Sequence, residues 1–521
     1  MKKKILVFAV IFFGFVCLTS FEEDAWSMSL IKLSSIIAQI EDSYYEDVDA
    51  EELSFASIRG MLQTLDPHSN FLDPRGVEYL REESGGKYFG LGILIQKHHT
   101  RLVVISPLEG TPASRLGIQP GDVISHINRE STEPISSYEA MQKLRGPKGT
   151  TVNITIVREG IEQPFDLDIE RAEIPLHSVP YAFMLKEDVA YIFIRNFATT
   201  TTSELIQKLD MLSAKGMKKL ILDLRQNGGG MFAPSIEMSD IFLPKGKSIV
   251  SVQGRQPYYN REFRAFQNNE YEDIPLIILI DDGTASASEI VSGAVKDNDR
   301  GLIIGEDSFG KGLVQTVFPL AENAAVALTT AKYLTPSGRS IQRDYSHLED
   351  YVFFRNDVPE DEREITYTAG GRKVLGQGGI SPDYDIAVSF KTLTINLLFK
   401  GAFFSYGKAF YTRTTPLSKK AVFPSEETAG QNRASGRILI SKETVIDNRF
   451  LEDFKHFLKE KKFEFTQTQF DEAKAEIIRE LEKEIFSSFW GIEAGLKIYR
   501  LSDPVVRKAF EVFPEAEALL K

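Results

Sequence analysis

Three short runs constrain this 521-residue chain more than anything else in it: KLILDLRQN at 219–227, IPLIILIDD at 274–282 and GLIIGED at 301–307. Ile274 to Ile280 is apolar at every position but one, which reads as a buried strand rather than a half-solvated one. VAYIFIRNF precedes them, and helical stretches lie between them, from Thr202 to Lys215 and again after Ser286. Strands that alternate with helices predict an α/β domain with mainly parallel pairing, running from about Arg171 to Ser389.

The flanking regions follow other periods. SLIKLSSIIAQIEDSYYED carries Leu30, Leu33, Ile36, Ile37 and Ile40 at helical spacing. ELSFASIRGMLQTLD repeats the pattern before PHSNFLDP breaks it, so residues 28–84 are expected to be a small helical region. From about Gly85 to residue 170 the period becomes that of strands: YFGLGILIQ, RLVVISP, GDVISHIN and TTVNITIVR are short, β-branched and bounded by Gly, Pro or Asn. Residues 390–521 are a helical extension in which Phe470, Ala473, Ile477, Leu481 and Ile485 share one face, a stripe suited to packing. SEETAGQNRASG before that stripe reads as a linker. The length allows two to four domains in all.

Charge and cysteine usage narrow the class. The chain holds 61 basic and 74 acidic residues, a net charge of -13, which argues against a nucleic-acid partner. The start, MKKKILVFAVIFFGFVCLTSFEED, has three lysines, an apolar run from Ile5 to Leu18 and then small and acidic residues. That is the layout of a secretory signal over residues 1–20. It places the protein in the periplasm or outside the cell, with an uncleaved inner-membrane anchor as the alternative. Contact with the membrane is expected only through that segment. Cys17, the only cysteine, falls inside it, so the mature chain would have neither a thiol nucleophile nor a thiolate metal site.

GEDSFGKGLVQT, at 305–316, raises a sharper question, because Gly305, Gly310 and Lys311 fit the spacing of a phosphate-binding loop. The next residue must then be Ser or Thr to hold magnesium, and here it is Gly312. The preceding stretch supports another use of Lys311. IPLIILIDD runs through the small-residue turn GTASASE into a helix starting near Ser286, whose hydroxyl would sit at the positive end of that helix, where an oxyanion is favoured. Serine with lysine is an alternative to serine with histidine. The amine must be neutral to take the serine's proton. Bringing its pKa down from about 10.4 by roughly 3 amounts to about 4 kcal/mol of differential interaction, which burial without a carboxylate neighbour can supply. Gln315, four residues on, can orient the amine through its carbonyl without adding charge. Ser288 and Ser292 are rival nucleophiles on sequence alone, and Ser288 could equally cap or pack the helix start.

DDGTASASEI, GEDSFGKGLVQT, LILDLRQNGGGMF, LTTAKYLTPSGRSIQ and GQGGISPD together resemble the carboxyl-terminal processing (tail-specific) serine proteases, in order and spacing. YFGLGI to VREG resembles the PDZ domain of that family, and the likeness spans about Ser29 to Ser389. The resemblance implies a multidomain α/β protein: the N-terminal helical region, a PDZ domain at 85–170, a crotonase-like α/β serine-lysine protease core at 171–389, and the helical C-terminal extension. It implies Ser286 as nucleophile and Lys311 as general base, the difference 311 minus 286 being the family's usual 25. Gln315 would assist the lysine. The oxyanion donors would be the amides of Ala287 and of a glycine in the NGGG turn, Gly230 in preference to Gly229. Where the family often has Asn-Pro-Gly-Gly this chain has Asn227, Gly228, Gly229 and Gly230, which leaves the turn feasible. In the PDZ-like block Gly90, Leu91, Gly92 and Ile93 would receive a substrate's C-terminal carboxylate while the peptide adds as a strand, with Leu91 and Ile93 selecting apolar tails.

The expected activity is therefore that of an exported serine endopeptidase acting on polypeptides with apolar C-termini. A catalytically silent secreted PDZ adaptor is the alternative. The seven histidines include no pair at ligand spacing apart from adjacent His98 and His99, which project differently on a strand, and His68 reads as a turn or capping residue. No metal and no cofactor are expected. The N-terminal helices and the tail offer surfaces for a homo-oligomer or an adaptor protein, and their stripes suit internal packing equally well.

Overall fold

The computed structural model describes residues 25–98, 100–108, 110–158, 160–347, 351, 362–423 and 438–521. The expected signal at 1–20 with Cys17, the linker SEETAGQNRASG and His99 lie outside the described residues. The chain divides into two compact units, one of residues 25–77 with 315–329 and one of 78–314 with 330–521.

The smaller unit holds helices Ala25–Ser43 and Ala50–Gln63. Asp49 caps the second by accepting from the Glu51 and Glu52 amides. Strand Asn70–Leu72 pairs antiparallel with Ala325 to Ala327, and Leu62, Phe71 and Ala324 form a small core. The stripe foreseen on the first helix is only half used: Leu33, Ile37 and Ile40 are half-buried, whereas Leu30 and Ile36 are exposed.

In the larger unit the apolar runs become the centre of a six-stranded sheet in the order Tyr181–Met184, Val189–Phe193, Lys219–Asp223, Leu276–Ile280, Leu302–Gly305, Tyr384–Asp385. The first pair is antiparallel and the rest are parallel. Side chains alternate between its two faces, and both faces are covered. Leu220, Leu222, Ile278, Ile280 and Ile303 meet helices Thr201–Ala214, Phe232–Phe242 and Ala287–Asp297. Ile221, Ile277, Leu279 and Ile304 meet Val505, Val506, Ala509, Val512, Phe513 and Ala516 of the last helix, Pro504–Ala518. The end of the C-terminal extension thus closes the second face of the α/β sheet, and no motif signals this.

Residues 93–170 form a separate antiparallel sheet ordered Ile93–His98, Arg101–Pro107, Val123–Ile127, Thr151–Val157, Phe165–Glu170. Its helix Ser137–Leu144 opens with a capping box between Ser136 and Glu139. The remaining tail helices pack around Phe403, Tyr406, Phe410, Phe450 and Phe454. Phe470, Ala473, Ile477, Leu481 and Ile485 are all buried in that core, as the stripe predicts.

Candidate active site

Ser286 sits between strand Leu276–Ile280 and helix Ala287–Asp297, in a turn that its own polar groups lock. Thr284 Oγ1 accepts from the Asp281 amide and donates to the Leu224 carbonyl. Asp281 Oδ1 accepts from the amides of Gln226 and Gly283. The result is a backbone with φ 56° and ψ −112° at Ser286. For a residue with a Cβ this costs on the order of 1–3 kcal/mol and persists only where the surroundings impose it. Ser286 itself is half-buried, between its buried neighbours Ala285 and Ala287. The rivals are used otherwise. Ser288 is fully buried with its hydroxyl donating to the Asn227 carbonyl, and Ser292 is fully buried with its hydroxyl on the Ser288 carbonyl.

Lys311 follows strand Leu302–Gly305 in the glycine loop. That loop does cradle an anion, but the anion belongs to the protein. Glu289 Oε1 accepts from Ser308 Oγ and the Gly310 amide, both at 2.6 Å. Its Oε2 accepts from the Ser286 amide at 2.7 Å and the Lys311 amide at 2.9 Å. Two donors on one oxygen place the amide nitrogens of Ser286 and Lys311 no more than 5.6 Å apart, the sum of those lengths. Burial holds the Glu289 pKa above the ordinary glutamate value, although each of the four bonds pulls it down. The carbonyls of the same two residues are joined as well: the Tyr333 hydroxyl donates to Ser286 O at 3.2 Å and Lys311 O at 2.8 Å. Tyr333 is itself buried, and burial pushes its pKa well up, so it stays a donor.

Glu289 and Tyr333 were not singled out by the sequence. A signal for the first existed: Glu289 stands three residues after Ser286, the spacing of a capping residue that reaches back to the residue before a helix. Nothing local distinguishes Tyr333, whose partners are 47 and 22 residues away.

The NGGG turn lies directly against Ser286. A Cβ on Gly229 would stand 2.8 Å from the Ser286 Cβ and 3.0 Å from the Ala287 amide nitrogen, and one on Gly230 would collide with the Phe197 carbonyl. Both glycines have positive φ, 99° and 138°. Asn227 is buried and fixes the turn by donating to the Ile194 carbonyl and accepting from the Gly229 amide at 2.9 Å. Among the described residues, the amides of Ala287 and Gly230 donate to no protein atom. The approach to the turn is held by an ion cluster. Arg225 binds Asp223 through two nitrogens, at 2.9 and 2.7 Å, and Asp503 at 2.8 Å, while the Tyr191 hydroxyl donates to Asp223. Burial alone would raise the Asp223 pKa, but the Arg225 and Arg500 guanidiniums overcome it and bring it down to about 2. Asp503 and Arg500 come from the C-terminal extension.

Ser286, Ala287, Lys311 and Gly230 all belong to the larger unit. Gln315 is grouped with the smaller one, where its Nε2 donates to Thr329 Oγ1 at 3.2 Å and Thr329 Oγ1 donates to Asp66 Oδ1 at 3.0 Å. Asp66 also accepts from the His68 and Ser69 amides, so His68 is a turn residue as expected.

In the second predicted site, Gly90 ends strand Lys87–Gly90. Leu91 is buried in the domain core with its carbonyl on the Ala113 amide, so its side chain is not offered at the surface as the apolar-tail expectation supposed. Gly92 has φ 75°, and a Cβ there would collide with Thr111. Ile93 is half-buried and begins the edge strand Ile93–His98, which among the described residues pairs only with Arg101–Pro107. The amides of Leu91 and Gly92 have no protein acceptor among the described residues. Among those residues, too, no three His, Cys, Asp or Glu side chains converge as a metal site would require, and no helix is long and apolar enough to cross a membrane.

Two family models match the chain: Peptidase family S41 over residues 188–349 and the PDZ domain over residues 80–157. A carboxy-terminal-processing protease of Bartonella bacilliformis is 38% identical over 363 residues, covering 69% of this chain and 82% of that protein. The carboxy-terminal processing protease CtpA of Bacillus subtilis is 34% identical over 346 residues, covering 65% of this chain and 72% of its own. Among solved structures, a photosystem II D1 C-terminal processing protease aligns over 70% of this chain and 88% of its own, at 28% identity and a TM-score of 0.37.

Proposed function

Since this chain belongs to peptidase family S41, as a carboxy-terminal processing serine protease that carries a PDZ domain, we propose that it cleaves peptide bonds through a serine-lysine centre formed by Ser286 and Lys311. Ser286 Oγ attacks the scissile carbonyl while the neutral Lys311 amine accepts the hydroxyl proton. The tetrahedral oxyanion is met by the Ala287 and Gly230 amides, which have no acceptor among the described residues. Gly229 is the weaker choice because its amide already serves Asn227. Lys311 returns the proton to the departing amine, and water then releases the acyl group by the same route. The carbonyl of Gln315 orients the lysine amine. Its amide nitrogen is engaged by Thr329, which leaves the oxygen as the acceptor.

The observation that carries this reading is the single Glu289 oxygen that accepts from both Ser286 N and Lys311 N, so that one buried carboxylate ties together the backbones of the proposed nucleophile and base. The PDZ domain, spanning about residues 85–170, takes the substrate's C-terminus at the unpaired amides beside Gly92 and adds the peptide to the open edge Ile93–His98. The protein is exported, with residues 1–20 as its signal. Peptidase activity of the wild type is to be compared with that of Ser286→Ala and Lys311→Ala. A loss of about a thousandfold or more is expected in each, and unchanged activity in either ends the mechanism.

A further inference from the structure

A cavity of about 860 Å³ lies where the outer side of the PDZ sheet meets the C-terminal helices. Its walls reverse the charge of the rest of the chain. Among the described residues, Arg101, Lys400, Lys408, Lys461 and Lys462 line it against one carboxylate, Glu460, in a protein of net charge -13. Among the described residues Arg101, Lys400, Lys461 and Lys462 make no ion pair with a carboxylate, and Glu460 is drawn to His456 at 3.2 Å. The cations are positioned rather than scattered. Lys400 Nζ stands 5.6 Å from the Phe463 ring centre, Lys461 Nζ stands 5.9 Å from that of Phe457, and the Lys408 amine lies over Gly121 of the PDZ domain. Between them the floor is apolar, formed by Val103, Val123, Phe404 and Phe463.

We propose that this cleft is an exosite for an acidic stretch of the polypeptide substrate, one that carries Asp or Glu among apolar side chains. A mixed floor and rim of this kind fits such a segment better than a phosphate, because half of the lining would gain nothing from an inorganic anion. The volume lies in the range that holds a bound ligand of several groups. Clustered like charges that outnumber the carboxylate beside them repel one another, and an anionic guest relieves that repulsion. The position suits a substrate too: Arg101 and Val103 belong to the strand paired with the free edge Ile93–His98, so the exosite and the peptide-adding edge are neighbouring strands of one sheet. The proposal rests on the protease reading for its biological sense, but its test does not depend on cleavage.

Binding of a fluorescein-labelled, C-terminally amidated peptide of alternating Glu and Leu is to be followed by anisotropy on the full Ser286→Ala chain. The amide removes the carboxylate that the PDZ loop would take. Binding should weaken as salt rises. Lys400→Gln/Lys461→Gln should weaken it about fivefold or more, and Arg101→Gln about twofold, with thermal midpoints unchanged. The same peptide with Gln for Glu should bind at least about fivefold more weakly. Equal binding by the double variant, or equal binding of the Gln peptide, overturns the proposal. So does a cleft that retains phosphatidylglycerol vesicles in a lysine-dependent way while ignoring the peptide. If Ser286→Ala keeps full peptidase activity but the peptide results hold, the catalytic reading fails and the exosite stands.

Discussion

Two glycine-rich loops in this molecule have nearly the same local sequence and opposite uses. In GEDSFGKG the amides of Gly310 and Lys311 and the Ser308 hydroxyl are already spent on Glu289, and the anion they bind never leaves. In YFGLGI the amides of Leu91 and Gly92 have no protein acceptor among the described residues, beside an edge strand with one neighbour. Backbone donors turned inward tie together the segments that carry Ser286 and Lys311, while donors left open are free to meet a carboxylate from another chain, as the proposed function requires. A phosphate-loop pattern in the first case was therefore right about an anion and wrong about whose it was.

The comparison breaks most visibly at Glu289. Glu289→Gln keeps the shape but puts an NH₂ where amide donors expect an oxygen, leaving one or two buried donors unpaired at about 1–3 kcal/mol each. Peptidase kcat should fall about a hundredfold while the affinity of the PDZ domain for a C-terminal peptide is unchanged; kcat within twofold of wild type would mean that the shared oxygen does not set the geometry. The converse change is Gly92→Val, which forces a β-branched residue to φ 75° against Thr111. Binding of a peptide with a free apolar C-terminus should drop tenfold or more, with cleavage of a short unanchored peptide retained within about threefold. Loss of both activities together would join the two loops into one device.

A smaller effect is expected at the ion cluster. Asp503→Asn removes one partner of Arg225 and should lower stability by about 2–4 kcal/mol, read by denaturant midpoint, because a partly buried cation loses a counter-charge. Asp223 gives the pH dependence of the same cluster. With its pKa depressed to about 2 from an ordinary 3.8, its ionised form stabilises the fold above about pH 4, and that contribution is lost as pH falls toward 2. Asp223→Asn should flatten the stability profile across that window. The smallest effect belongs to Ser288→Ala, which loses one buried hydroxyl bond of about 1 kcal/mol and should leave kcat within about threefold.

Much of this was legible in the residues. Unbroken apolar runs such as LIILI can only be buried, so the parallel sheet followed from composition at five or six positions at a time. The strand-to-helix turn that carries Ser286 was readable because a strand, a small-residue turn and a helix leave few places for an exposed hydroxyl, whereas the choice of Ser286 over Ser288, and of Lys311 as its partner, rested on the family resemblance. What was hidden depends on long-range pairing. Tyr333 reaches Ser286 across 47 residues and Arg225 meets Asp503 across 278 (503 minus 225), and neither pairing leaves a local period. The role of helix Pro504–Ala518 was hidden for the same reason: its apolar stripe announces burial but not which surface it buries against. Leu91 was misjudged because a loop residue between glycines looks exposed, whereas the turn at Gly92 folds its side chain into the core.

The most direct test is to trap the acyl-enzyme. The wild type is mixed with an ester substrate, quenched in acid within the first turnovers, digested and read by mass spectrometry. The acyl mass is predicted on the hydroxyl of Ser286, at the end of the DDGTAS turn, and it should accumulate far more slowly in Lys311→Ala. An acyl group on Ser288 or Ser292, or turnover of the ester at the wild-type rate in Ser286→Ala, would contradict the assignment.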